Sequence, residues 1–186
     1  GFDPAYAGVP AASGAFPVVV APDFLGGEQT NNKLLTHLVS QGYVVASVFW
    51  STTDYPFPGY CPKNPAPHDG ARVVVQRSQS DRLMLDRLLS RNATSGDLLF
   101  GKVDAKKIAA VGFSFGGLDA LILGSGISTP NGSLPPDPRI KAIVSLDGSS
   151  NPLAEADLKR ITVPYMVLGT PAGPDGRFPT GNHSAR

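Results

Sequence analysis

The chain has 186 residues with 21 Gly, 18 Pro and a single Cys, and its 16 basic and 15 acidic side chains leave a formal charge of +1. That length fits one domain of ordinary size, and the balanced charge removes the basic footprint that binding to nucleic acid or to an anionic membrane requires. Cys61 alone excludes an internal disulfide framework and a cysteine-based zinc site, no apolar run approaches the roughly 18–20 residues of a transmembrane segment, and the opening GFDPAYAGVP has neither the charged nor the apolar region of a signal peptide.

Residues 1–15 are aperiodic and read as an extended lead-in. The first strong element is Phe16–Ala21, FPVVVA, whose unbroken β-branched run suits a strand buried on both faces. A loop with Gly26-Gly27 follows, and Asn31 or Asn32 caps a predicted helix over about 33–40 with Leu34, Leu35 and Leu38 on one stripe, closed by Gly42. Tyr43–Phe49, YVVASVF, is a second buried strand, so the three elements form a βαβ unit with a parallel pair. Residues 51–70 are rich in Pro and read as an irregular excursion. From Val73 to about Arg91 the spacing of Leu83, Leu85, Leu88 and Leu89 predicts a helix, with Arg82 and Asp86 as an i,i+4 pair on its wet side. Lys107–Gly112 is a third strand, Phe115–Leu123 a helix ended by Gly124, and residues 125–138 an inserted loop. Ile140–Leu146 and Val163–Gly169 are the fourth and fifth strands. Strands alternating with helices predict an α/β domain with a mostly parallel sheet.

The string Ala109–Leu118, AAVGFSFGGL, contains G-x-S-x-G as Gly112, Ser114 and Gly116, between a strand and a helix. A serine on so sharp a turn projects its hydroxyl clear of the sheet, and the glycines keep side chains from colliding with neighbouring elements. The helix start supplies amide hydrogens and the positive end of a dipole where an oxyanion would form. A glycine-rich turn that only packs, or one that cradles a phosphate, is the alternative. Acyl transfer needs two oxyanion donors, one from the residue after the nucleophile and one from an earlier loop. Phe115 and Phe24 occupy those places.

Thirteen Asp against two Glu direct acid chemistry to an aspartate. Asp147, directly after the fourth strand and followed by Gly148, which allows a sharp turn, is one candidate and Asp175 the other, and either could be a turn-forming Asp-Gly. The base is least secure. His37 lies within the first helix, and His68 precedes the serine, against the order Ser, Asp, His. His183 has that order but follows no apolar strand. Cys61 reads as a loop thiol, because neither a histidine nor a helix start stands beside it.

From Phe16 to about Gly173 the chain resembles the α/β-hydrolases, and within them the platelet-activating-factor acetylhydrolase and dienelactone-hydrolase-like esterases, with cutinases as cousins. The matching segments are PVVVAPDFLGG, HLVSQGYVVASVFW, RSQSDRLMLDRLL, KIAAVGFSFGGLDAL and IKAIVSLDGSSNPL. The resemblance implies a single α/β-hydrolase domain over 1–186 with helices on both faces of the sheet, Ser114 as nucleophile, the Phe24 and Phe115 amides as oxyanion hole and Asp147 as acid. Where such families carry His-Gly before the oxyanion residue this chain has Pro22-Asp23, and where they carry His before the serine it has Phe113. The family's closing strand, histidine loop and final helix find no counterpart, so a second or following segment is expected to complete the fold, with an inactive relative as the alternative.

Three N-x-[ST] sequons, at Asn92, Asn131 and Asn182, all in predicted loops, point to a secreted glycoprotein; a cytoplasmic protein with accidental sequons is the other reading. No cofactor or metal is expected. The expected function is hydrolysis of a small or lipid-like carboxylic ester through an acyl-enzyme on Ser114. A non-catalytic scaffold or a serine peptidase on the same fold are the alternatives. The aromatics Trp50, Tyr55, Phe57 and Tyr60 would suit an apolar substrate groove or simple loop packing.

Overall fold

The computed structural model describes residues 11–22, 32–48, 69–130, 132–148, 150 and 152–169. The FPVVV run forms β1 (Phe16–Val20), and Val18, Val19 and Val20 are all buried, as a strand covered on both faces requires. Helix α1 (Asn32–Ser40) ends in a Schellman arrangement. The Tyr43 N–H donates to the Leu38 carbonyl and the Gly42 N–H to that of Val39, with Gly42 at φ 85°. Then come β2 (Val44–Ala46), the long α2 (Asp69–Ala93), β3 (Val103–Phe113), α3 (Phe115–Ser125), the short strands β4 (Ile127–Thr129) and β5 (Gly132–Leu134), β6 (Ile140–Leu146), the single turn α4 (Glu155–Leu158) and β7 (Tyr165–Leu168).

Five strands form one wholly parallel sheet in the order β2-β1-β3-β6-β7. The chain steps from β1 to β2 in one direction, then returns past β1 to add β3, β6 and β7 in the other. The strand order thus reverses between β1 and β3, and such a reversal is where open α/β sheets form their binding crevice. A parallel sheet with helices is what the alternation of elements predicts, and it agrees with the α/β-hydrolase fold that the resemblance implies.

The main core lies under α2 and α3. Val18 and Val20 of β1, Ile108 and Ala110 of β3, and Ile140 and Ile143 of β6 meet Leu85 and Leu88 of α2 and Leu121 and Leu123 of α3. A second cluster joins Val74 and Val75 of α2 to Leu118 and Ile122 of α3 and Ile127 of β4.

Several details depart from the sequence reading: α3 runs through Gly124 to Ser125 and is capped by Gly126, and β2 is confined to Val44–Ala46. The predicted loop 125–138 contains the β4–β5 hairpin, whose three-residue strands are too short to show a period. Strand β3 starts at Val103, four residues early, because the β1 pairing jumps from Phe16↔Val103 to Val18↔Ile108 and the polar DAKK stretch bulges between. Leu83 does not join the buried stripe: it stands two residues, or about 200°, from Leu85 and is 62% exposed. Arg82 and Asp86 do not pair. Arg82 Nη2 instead donates to the Pro135 carbonyl at 2.6 Å, and Asp86 pairs with Arg139. Both bonds fasten α2 to the segment that enters β6.

Candidate active site

Ser114 is the N-cap of α3, with φ 53° and ψ −116°. A non-glycine residue pays a steric penalty in that region of the map. The chain reaches it because β3 ends and α3 begins with no intervening loop. The Ser114 N–H donates to the Leu146 carbonyl at 2.8 Å, one step beyond the Phe113↔Leu146 register, while the Ser114 carbonyl accepts the Leu118 N–H at 3.2 Å and starts the helix. Gly112 makes the turn possible, since a Cβ there would fall 2.1 Å from the Gly116 carbonyl oxygen.

Asp147 repeats the geometry on the next strand. It follows β6 directly, has φ 49°, and donates its N–H to the Leu168 carbonyl of β7. Among the described residues, Ser114 and Asp147 are the two non-glycine residues with positive φ. They stand at the carboxyl ends of adjacent parallel strands, each one residue past a register pair. The Asp147-Gly148 turn differs in kind from the sequence reading. Positive φ falls on Asp147, and Gly148 is needed for space: a Cβ there would lie 2.3 Å from Ser145 Oγ and 2.9 Å from the Gly117 carbonyl carbon. The first turn of α3 and the turn after β6 thus touch backbone to backbone over the small side chain of Ser145. Sequence reading singled out Gly112 and Gly116 but missed Gly117 and Ser145. The only signal was the second glycine of the FGGL string.

Ser114 is 2% exposed, and its Oγ makes no hydrogen bond. The Phe115 N–H is the first of α3 and has no acceptor within the helix. Behind it, Arg77 Nε of α2 donates to Asp119 Oδ2 at 2.6 Å, with both side chains buried, and the guanidinium carbon of Arg77 lies 4.9 Å from the centroid of the Phe115 ring. Burial pushes the Asp119 carboxyl up to about 6, against the attraction and hydrogen bond of Arg77.

Phe24, Cys61, His68, Asp175, His183 and the sequon residues Asn131 and Asn182 lie outside the described residues, as do Trp50, Tyr55, Phe57 and Tyr60. His37 is exposed on α1 and does not bond Ser114 Oγ. Asn92 lies not in the expected loop but partly buried in the last turn of α2, where its side-chain amide donates to the Val103 carbonyl and accepts from the Val103 N–H, so it clasps the start of β3. No group of three His, Cys, Asp or Glu side chains among the described residues is placed to hold a metal, and no helix among them is long and apolar enough to cross a membrane. An open groove of about 520 Å³ runs along the outer side of α2 between Leu83, Met84 and Arg87, and none of the site residues lines it.

The model of the dienelactone hydrolase family matches residues 4–182. The chain belongs to the dienelactone hydrolase family. It is also similar to the solved structure of a dienelactone hydrolase-like promiscuous phosphotriesterase from metagenomic libraries, with 23% identity, a TM-score of 0.55 and 88% of this chain covered. That likeness shows the fold, and the chain spans 60% of that protein's length. No curated protein matches the chain.

Proposed function

We propose that the protein is a serine hydrolase of carboxylic esters, with Ser114 as nucleophile and Asp147 as the acid of its triad. One observation carries the reading: among the described residues, the two non-glycine residues held at positive φ are this serine and this aspartate, side by side at the carboxyl edge of the sheet. Strain of that kind persists where surrounding structure over-determines it, and it concentrates at functional sites.

In this mechanism Ser114 Oγ attacks the ester carbonyl carbon while its proton passes to a histidine. His183 is the candidate by chain order. Asp147 holds that imidazole in the tautomer that can accept the proton and stabilises the imidazolium that results. The carbonyl oxygen, now an oxyanion, receives the Phe115 N–H and a second amide, assigned by position to Phe24. Collapse of the tetrahedral intermediate breaks the carbon–oxygen bond, the alcohol leaves with the proton from histidine, and water repeats the sequence to free the acid and Ser114. Aspartate rather than glutamate suits a site where the strand end itself brings the carboxylate close, because the shorter side chain loses less rotamer freedom.

A fluorophosphonate probe tests the nucleophile. Mass analysis is expected to find one label on Ser114 and none on Ser114→Ala; absence of label on the intact protein, or equal labelling of the variant, overturns the reading in favour of a non-catalytic scaffold. A panel of para-nitrophenyl esters, peptide anilides and a phosphotriester then tests the substrate class, with the esters expected to turn over fastest.

A further inference from the structure

Helix α3 starts with little support of its own. Its N-cap Ser114 makes no side-chain cap bond, and no acidic residue lies in the first turn, although either would satisfy free amides or oppose the helix dipole. Gly116 and Gly117 follow, and glycine is among the weakest helix formers. Order in this turn must come from contacts outside the helix. One side has the Gly117–Ser145–Gly148 contact. The other has a buried cation.

Arg77 reaches from α2 to this turn and is 1% exposed. Phe115 and Asp119 are four residues apart, so both face the same side of α3, and the guanidinium spans them, 4.9 Å from the ring centroid of one and 2.6 Å from the carboxylate of the other. Such a pair is a poor device for stability alone, because two buried charges forfeit their hydration and Asp119 Oδ1 is left without a partner. Apolar packing between α2 and α3 is already supplied by Val74, Val75, Leu118 and Ile122. What a planar guanidinium adds is direction: it stacks on a ring and bonds a carboxylate in one fixed geometry, which an ammonium cannot do.

We propose that Arg77 is a positioning residue for the elbow: tied to Asp119, it fixes the Phe115 ring and so the aim of the Phe115 N–H at the developing oxyanion. The inference rests on the reading of Ser114 as nucleophile and the Phe115 amide as oxyanion donor. A tilted amide loses a hydrogen bond formed fully only in the transition state, so the loss falls on kcat and leaves KM in place. It also falls on oxygen esters far more than on thiono esters, whose developing charge sits on sulfur, a weak acceptor.

The test compares the full chain with Arg77→Lys, Phe115→Leu and the double variant, using para-nitrophenyl acetate, its thiono analogue and the fluorophosphonate probe. Each single variant is expected to lower kcat on the oxygen ester about tenfold with KM within about twofold. The double variant is expected to be no worse than the weaker single one, since both break one clamp. The thiono ester should change by less than about twofold. Where Arg77→Lys fails to fold, Phe115→Leu, which leaves the buried ion pair in place, carries the same readout. Unchanged kcat in a folded variant overturns the clamp, and so does an equal loss on both esters, which marks a general structural defect. In either case labelling of wild-type Ser114 leaves the hydrolase reading standing; if wild type is not labelled, that reading falls and the clamp falls with it.

Discussion

Strand β6 has two unlike sides. Ile143 and Ser145 face α3: Ile143 is 1% exposed and sits in the hollow at Gly124, where a Cβ would come within 2.0 Å of its Cδ1, and Ser145 is wholly buried between Gly117 and Gly148. Ala142, Val144 and Leu146 point to the other face and are only half-buried, as are Ala109, Val111 and Phe113 of β3. Beyond them β7 exposes all four of its side chains, Tyr165 to Leu168, by about half or more. One face is closely fitted and holds the first turn of α3 against the Asp147 turn. The other resembles a surface partly withdrawn from water. Precision at the elbow is thus supplied from one side of the sheet, where glycines let backbones touch, and the same side holds the Arg77–Asp119 pair.

The largest effect that would break this contrast is at Gly112. A methyl group 2.1 Å from a backbone carbonyl oxygen has nowhere to go, so Gly112→Ala is expected to lose fluorophosphonate labelling at Ser114 and to lower the urea-unfolding free energy by about 3 kcal/mol or more. A labelled, stable variant would show that the close face tolerates movement. Next comes a paired comparison within β6. Ile143→Ala is expected to cost about 2–5 kcal/mol through the cavity it leaves, and Val144→Ala about 1 kcal/mol or less because its site is half-open. Equal midpoints for the two would erase the distinction between the faces.

The pH dependence sharpens it further. With its carboxyl pushed up to about 6 from 3.8, Asp119 in the folded chain keeps a proton that the unfolded chain has already released. Its contribution to stability therefore falls as pH rises from about 4 through 6 and is level above that. Asp137 has the opposite sign. Burial works against its carboxylate, but the hydrogen bonds and charge of Arg139, with Arg82 beside it, outweigh burial and hold it below its ordinary value, so its contribution is present at neutral pH and is lost as pH falls below about 4. Urea midpoints across pH 4–7 are expected to show the Asp119 slope in wild type and its loss in Asp119→Asn. The smallest effect belongs to the exposed side of α2, where Leu83→Ser should move stability by no more than about 0.5 kcal/mol.

Most of the scaffold was legible because its signals are local. FPVVVA could be read as a strand covered on both faces because β-branched residues run without a polar break, and G-x-S-x-G between a strand and a helix located Ser114. The turn at Asp147 was legible by position, directly after IKAIVSL. What local signals could not reveal were short or long-range features. The strands of the β4–β5 hairpin have three residues each, less than two periods of alternation. Arg82 and Asp86 satisfy the helix spacing rule, yet tertiary partners at Pro135 and Arg139 draw them apart.

The sequence by itself determined the order of the main strands and helices and the strand–turn–helix at Ser114, because alternation and glycine placement act within a few residues of one another. Only the tertiary structure decided that β3 adds beside β1 on the side away from β2, that Asp147 rather than its glycine takes the left-handed conformation, and that Gly117 and Gly148 meet over Ser145. Those features depend on which strands become neighbours and how closely their backbones approach. Steric exclusion between segments about thirty residues apart, Gly117 and Gly148 among them, is settled only when the sheet has formed.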